Sequence, residues 1–495
     1  MKIVVLDHPR ISSEIHFNDI ANTPLWSCLM SGYVSAFLIQ KGYDVTYIDA
    51  VDEGLSFEET KAKIIKIKPD IIMINAVYMW ENTYVLFDFL HEIKHELRKL
   101  HINLFGFFPS LSFDGIFDNC GFIDSIAVGE CEYTLFELVQ SIKRSDDIAT
   151  IPGIVTRSTK DFLIPRQPQP DPDVFPFPSR IQRKVTTISI LGSRGCYNQC
   201  SFCPIPIFYN QGPLWRGRSV ENILEEIREL VSMGYKNFYF VDPNFIGPGI
   251  RGKERTKALL SEIKKFKVTL GLETRANDID DEIAACFYEN EVKSLLLGVE
   301  SACSNVLSKM CKNTSPNVSR KAIEFLRKYK IEPEIGFIMF EPDMRKEDII
   351  QNFHFLLENN LLDRLDRTAN LLSHKLIVFS KTPGFYYYSS QGRVKTLDRF
   401  GFEAEISYKD NQVLAISEIV NKFCLYVLKE MSKQNSPIYW KRSMYDPKPR
   451  EINKLLVELF NWVISSDVNN VSKEGIIKEG IEQIERAIKL NAKSE

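Results

Sequence analysis

Short β-rich runs alternate with helix-patterned runs twice along the 495 residues, and a proline-rich stretch, RQPQPDPDVFPFPSR at 166–180, separates the two series. Strands joined through helices run parallel, because only a parallel return needs so long a crossover. The first series occupies 1–145, with strands expected at 2–7, 44–49, 71–76, 102–106 and 125–128 and helices at 26–41, 57–68, 81–100 and 134–143. It predicts a doubly wound α/β sheet, whose ligands sit beyond the carboxyl ends of the strands where the strand order reverses. Residues 146–185 predict a small hairpin, IPGIVTR with DFLIPR, and then an extended linker held by its prolines. The second series, 186–385, runs six times, with strands at 187–191, 238–241, 269–273, 295–300, 334–340 and 375–379 and helices at 220–233, 254–265, 280–290, 316–328 and 347–358. Six such units predict a partial (β/α)6 barrel, open on one side, with its chemistry in the loops at the carboxyl-terminal rim. Residues 386–495 read as a helical C-terminal region, with helices at 413–433, 449–465 and 473–490 and no legible chemical signature.

A formal net charge of −3 argues against nucleic acid or an anionic membrane surface as a partner. The opening MKIVVLDHPR enters a strand directly, without the pattern of a secretory leader, and no apolar stretch reaches the roughly 20 residues that span a bilayer. Seven of the ten cysteines (Cys28, Cys120, Cys131, Cys286, Cys303, Cys311, Cys424) are scattered and read as buried free thiols rather than a disulfide scaffold. The expected compartment is the reducing cytoplasm.

The other three cysteines, Cys196, Cys200 and Cys203, stand together in GSRGCYNQCSFCPIP, directly after the first strand of the second series and therefore on the barrel's rim. The competing reading, structural zinc, calls for four ligands, usually in C-x2-4-C pairs, and no fourth Cys or His lies near in sequence. A 4Fe-4S cluster normally takes four cysteines, so three leave one iron open. The C-x3-C-x2-C spacing, with Phe202 before the last cysteine, resembles the signature of the radical S-adenosylmethionine (SAM) enzymes. That resemblance covers about 186–385. It implies that the three cysteines hold the cluster, that the open iron chelates SAM, and that an electron from the cluster splits SAM into methionine and a 5′-deoxyadenosyl radical.

The other rim segments resemble the family in order. VDPNFIGPG offers Asp242 and Asn244 where the family binds the methionine part of SAM, in the D-x-N-F form of cobalamin-linked members rather than G-G-E. ETRAND offers Glu273 and Arg275; the guanidinium either forks onto the SAM carboxylate or pairs with Glu273 or Glu300. LLLGVESACSNVLSKMCK resembles G-x-E-S-G, with Gly298, Glu300 and Ser301 at the cofactor, and Phe202 is assigned to adenine through its backbone. GFIMFEPDMRKEDI departs from the family's F-x-x-G-x-P-x-x-T-x-E-D at Phe340 and Arg345, which bears on the adenine side.

TPLWSCLMSGYVSAFLIQKGYDVTYIDA and FGFFPSLSFDGIFDNCGFIDSIAVGECEYTLFELV resemble the Rossmann-like (flavodoxin-like) cobalamin-binding domains that precede many radical SAM barrels, with their G-E-x-E-x-T at Gly129, Glu130, Glu132 and Thr134. Ala76, Val77 and Tyr78 would form one wall of a cobalamin slot, and Gly106, Pro109 and Ser110 another. The cobalt-ligating D-x-H-x-x-G is absent, Asp7-His8-Pro9 lacking its spacing; the alternative is a domain that kept its fold and lost the cofactor. His8, His16, His91, His95, His101, His354 and His374 form no metal-ligand pattern and read as surface residues, and FYYYSS at 385–390 as packing. The resemblance implies a methyltransferase that moves a methyl group from methylcobalamin to an unactivated carbon of a natural-product or peptide substrate held between the domains. Its partners would be that substrate and an electron donor such as a flavodoxin or ferredoxin. A non-methylating rearrangement or cyclisation, a radical SAM enzyme without cobalamin, and a non-catalytic regulator are the alternatives.

Overall fold

The computed structural model describes residues 1–13, 29–181, 186–209, 214–440, 447–466 and 472–492. The start of the helix expected at 26–41, His16, Cys28 and the end of the linker at 182–185 lie outside these residues.

β1 (Ile3–Asp7), β2 (Val45–Asp49), β3 (Ile71–Asn75), β4 (His101–Phe105) and β5 (Ser125–Ala127) form a parallel sheet in the order β2-β1-β3-β4-β5, and β6 (Ile154–Val155) adds an antiparallel edge. β1 (IVVLD) and β3 (IIMIN) are buried throughout, the near-continuous apolar pattern of strands covered on both faces. Strand order reverses between β1 and β3, so the crevice of this sheet opens over Asp7, His8 and Asn75. The two arms of the expected hairpin stay in contact through a backbone hydrogen bond, although only the first forms a strand. IPGIVTR supplies β6, which satisfies the open edge of β5, and Gly153 N–H donates to the Ile164 carbonyl at 2.7 Å. A helix over Phe107–Asn119, not among the expected ones, follows β4. Pro109 sits in its first turn, where no N–H is needed. Gly115 allows a close approach, since a Cβ there would lie 2.1 Å from the Phe400 carbonyl oxygen.

In the second series, β7 (Ile188–Ile190) leads into an antiparallel ribbon of β8 (Ser193–Gly195) and β9 (Trp215–Gly217), and then come β10 (Asn237–Phe240), β11 (Thr269–Arg275), β12 (Val292–Glu300) and β13 (Glu334–Phe337). The five longer-range partners form a parallel sheet in the order β13-β12-β11-β10-β7. The sixth barrel position is a single parallel bridge between Phe340 and Lys375. The rest of that expected strand, β14 (Val378–Phe379), turns into an antiparallel sheet with β15 (Val394–Leu397) and β16 (Glu403–Ile406). The region read as helical therefore also holds two short strands, between the helix over Pro383–Ser390 and the long helices that follow. VKTL and EAEI are too short and too charged to advertise themselves, and the turn between them is closed by Asp398, which accepts from Phe400 N–H at 2.7 Å and Phe402 N–H at 2.8 Å.

This small sheet packs on the N-terminal domain, with Phe400 stacked on Phe87 at 4.4 Å and Phe402 at 4.8 Å from Tyr78 and 5.1 Å from Phe108. The C-terminal helices, Asn411–Ser432, Pro447–Ser465 and Lys473–Ala492, share one apolar core with the barrel, for example Phe353 against Phe460 at 4.7 Å. They pack on the helices over Lys346–Glu358 and Leu365–Ser373. Among the described residues no helix is long and apolar enough to cross a membrane.

Candidate active site

A cavity of about 640 Å³ lies between the carboxyl ends of the two parallel sheets. The N-terminal side contributes Asn75, Phe107, Glu130 and Glu132; the barrel side contributes Phe202, Cys203, Glu273 and Glu300. The cysteine loop, which leaves β8, is held by its backbone. Ser201 N–H donates to the Met310 carbonyl at 2.9 Å and Gly384 N–H to the Ser201 carbonyl at 2.8 Å. Asn198 Nδ2 reaches the Cys311 carbonyl at 3.0 Å and Cys200 Sγ at 2.9 Å. Burial pushes the thiols of Cys196, Cys200 and Cys203 up, while Lys312 pulls each of them down. One buried and two half-buried sulfurs beside the buried Lys312 suit a metal centre, which holds them as thiolates. Among the described residues no three His, Cys, Asp or Glu side chains converge on one mononuclear metal position.

The expected SAM contacts divide into two groups. Asp242 and Asn244 brace the loops. Asp242 accepts from Gly192 N–H at 2.9 Å and the Ser193 hydroxyl at 2.5 Å, and burial pushes its carboxyl up to about 6. Asn244 donates to Asp278 at 2.8 Å and accepts from Gly247 N–H at 2.8 Å, while Asp278 takes the Tyr197 hydroxyl beside Cys196 at 2.5 Å. Ser301 is likewise buried, its hydroxyl on Asn352 Oδ1 at 3.0 Å. Arg275 pairs with neither Glu273 nor Glu300; it donates to the Lys312 carbonyl and lies 5.0 Å from the Tyr197 ring centroid.

Glu273, Glu300 and Phe202 do face the cavity. Glu300, in the left-handed region at φ 67°, pairs with Lys312 at 2.7 Å, a partner that no motif announced. Gly298 makes room for that ammonium, since a Cβ there would lie 2.9 Å from Lys312 Nζ. Glu273 accepts from the Tyr239 hydroxyl at 3.3 Å, and burial pushes its carboxyl up to about 7. The folded state therefore binds this proton more tightly than the unfolded chain, whose value is near 4.5. The burial penalty is full above pH 7 and fades as pH falls toward 4.5. Glu273→Gln, which does not titrate, is expected to raise the unfolding free energy of the apo-protein by at most about 3 kcal/mol at pH 8 and by almost nothing at pH 4.5. Urea titrations at the two pH values check this; an equal effect at both rejects it.

On the N-terminal side, His8 corrects the surface reading. It follows β1 and is fully buried, with Nδ1 donating to the Pro9 carbonyl at 2.6 Å and Nε2 accepting from Val77 N–H at 3.1 Å. Burial holds the imidazole well below its ordinary value, in the neutral form those partners require. Both ring nitrogens are engaged, so neither is available to a cobalt ion. His101 bonds the Ser125 hydroxyl at 2.8 Å and His374 lines the cavity, whereas His91, His95 and His354 are exposed as read. Ala76, Val77 and Tyr78 are buried beyond β3. Ser110 donates to the Gly106 carbonyl at 2.7 Å and accepts from Gly129 N–H at 3.0 Å, tying the loops after β4 and β5 into one wall, with Pro109 in the helix behind it.

Glu130 does something the sequence did not reveal. It accepts from Arg194 at 3.0 Å, Arg216 at 2.8 Å and Gln169 N–H at 2.8 Å, and Glu132 takes Arg194 at 2.6 Å. Their side chains are only 2–7% exposed. Burial opposes ionisation of Glu130, yet the two guanidiniums hold its carboxyl below the usual range. Arg194 also lies 4.2 Å from the Phe175 ring centroid. The network joins the loop after β5 to the β8–β9 ribbon, two residues before Cys196.

Residues 190–356 match the family model of the radical SAM superfamily. The second sheet with its cysteine loop is thus a radical SAM domain. Among relatives, an uncharacterized methyltransferase of Pyrococcus horikoshii is 25% identical over 341 residues, 65% of this chain and 71% of that one. Among solved structures, the cobalamin-dependent SAM radical enzyme OxsB with aqua-cobalamin bound matches with a TM-score of 0.79 at 18% identity, over 100% of this chain and 80% of that one. The radical SAM methyltransferase TsrM from Kitasatospora setae, with cobalamin and a 4Fe-4S cluster bound, matches with a TM-score of 0.65 at 14% identity, over 97% of this chain and 99% of that one. The whole chain therefore has the fold of these enzymes: an N-terminal doubly wound domain, a partial barrel and a C-terminal region that is mostly helical.

Proposed function

We propose that this chain is a cobalamin-dependent radical SAM C-methyltransferase acting on an unactivated carbon of a natural-product or peptide substrate. The observation that carries this reading is the single cavity of about 640 Å³ reaching from Cys203 and Phe202 to Asn75 at the crevice of the N-terminal sheet. The methyltransferase names of relatives and the cobalamin held by OxsB and TsrM support it. When bound, the cluster and SAM supply a carbon radical and cobalamin carries the methyl group. Cys196, Cys200 and Cys203 would hold the cluster. The Phe202 backbone, Glu273 and the Glu300–Lys312 pair would orient SAM. Gly106, Ser110, Gly129 and Ala76–Tyr78 would shape the cobalamin slot without an axial histidine. Leu296, Phe337 and Leu371 line the space between and would keep water from a radical. In this reading 1–145 is the cobalamin domain, 146–185 the linker, 186–385 the barrel and 386–495 its cover, working in the reducing cytoplasm.

The test is anaerobic reconstitution with iron, sulfide and hydroxocobalamin, reduction in the presence of SAM, and mass spectrometry of the small molecules. Bound cobalamin with both 5′-deoxyadenosine and S-adenosylhomocysteine is the expected result. 5′-Deoxyadenosine alone, from protein that retains no cobalamin, overturns the methyltransferase reading and leaves the radical SAM chemistry standing.

A further inference from the structure

β13 is the last strand of its sheet, so only one of its edges is paired. Along a strand the peptide groups of successive residues point to opposite edges. The even-numbered ones face β12, where Ile338 N–H donates to the Glu300 carbonyl at 2.7 Å. The odd-numbered ones face the helix over Leu365–Ser373 and the turn after it. At the start of this outer edge the Pro333 carbonyl accepts from Arg367 at 3.1 Å, and at its end Met339 N–H donates to the His374 carbonyl at 3.0 Å. Ile335 and Phe337 stand between them. Among the described residues neither has a hydrogen-bond partner on this edge. Both are buried, and both line the cavity. The Phe337 ring is stacked on Phe355 in the helix layer, 6.4 Å away, which leaves the edge itself to main chain. Asp366 and Asn370, exposed on the helix opposite, line the same cavity, so the gap beside β13 reaches solvent. Buried peptide groups are nearly always bonded, and these two residues present theirs to a space that a ligand can enter.

We propose that the substrate is a peptide, and that an extended stretch of it adds to β13 as a strand, bonding the N–H and C=O of Ile335 and Phe337. The inference rests on the proposed function and narrows its substrate class. Three features favour this occupant. The open residues are two positions apart, about 6.6 Å, the repeat at which an extended peptide presents its own N–H and C=O to one side. The edge is closed at both ends by Arg367 and His374, which confines an added strand to this stretch. β13 also runs toward the carboxyl-terminal rim, so a chain laid along it is led toward Cys203 and Glu300. In such strand addition the main-chain bonds supply affinity and leave the side chains to be read by the surrounding cavity.

The test uses the reconstituted protein and a library of N-acetylated, C-amidated hexapeptides randomised at every position, from which binders are enriched by affinity selection. The tightest binder is then made in two further forms, N-methylated at its odd or at its even positions. An added strand turns only every second N–H to β13, so one form is expected to bind at least tenfold more weakly and the other nearly as well as the parent. Hydrogen exchange read by mass spectrometry should show the amides of Ile335 and Phe337 slowed at least tenfold at saturating peptide. Ile335→Pro removes an N–H that the β12 ladder does not use, a change that edge strands tolerate. It should weaken the peptide to a similar degree while iron content stays that of wild type; if this variant fails to fold, the wild-type exchange decides. A library that yields no binder, two N-methylated forms that bind alike, or unchanged exchange at both residues overturns the proposal. Protein that takes up neither cluster nor cobalamin overturns the proposed function instead, whatever it does with peptides.

Discussion

Cys200→Ala protein, reconstituted with iron and sulfide, is expected to lack the cluster's absorption and resonance signals and to produce no 5′-deoxyadenosine above background. The thiol is 8% exposed and bonded by Asn198, so no outside ligand can replace it without moving the loop. The informative partner is Cys311→Ala. Cys311 is remote in sequence, yet its carbonyl is bonded by Asn198, which brings a fourth cysteine against the loop. That cysteine is exposed and sits in a left-handed turn at φ 51°. Cys311→Ala is therefore expected to keep both the cluster and SAM cleavage. Loss of the cluster in Cys311→Ala would mean four cysteine ligands and no open iron, and the reading of this site would fail.

Arg194→Ala is expected to cost about 3–5 kcal/mol in unfolding free energy, the usual penalty for stranding buried charge. It removes the ion partner of Glu132 and leaves Glu130 with Arg216. Because β8 runs straight into Cys196, the variant should also assemble less cluster at a temperature where it is still folded. Denaturant titration of the apo-protein and iron content after reconstitution measure the two effects separately. Arg194→Met/Glu132→Leu removes the stranded charge along with the guanidinium and should recover much of the stability. A single variant as stable as wild type would show that the network contributes little.

How far the sequence reached follows from what each residue depends on. The cysteine loop was legible because its spacing and its place after a strand are local facts. The two parallel sheets were legible because crossover length dictates strand direction. Arg194 and Arg216 were not, because their partners lie 62–86 residues away and an arginine does not name its carboxylate. Lys312 was hidden for the opposite reason, a lone cation twelve residues after Glu300 with no motif of its own. His8 was read as surface because only the third dimension puts Val77 against its ring. β15 and β16 escaped because four-residue strands gain their ladder only after the turn at Asp398 has closed.

The contact of Gly115 with Phe400 has a mechanical consequence. The first domain grips the barrel through Glu130 and Arg194, the barrel shares a core with the C-terminal helices, and the small sheet leading to those helices returns to the first domain. Three bodies joined pairwise make a triangle, and a triangle does not open like a hinged shell. Under the proposed function, exchange of substrate would come from local movement of loops at the cavity mouth rather than from parting of the two domains.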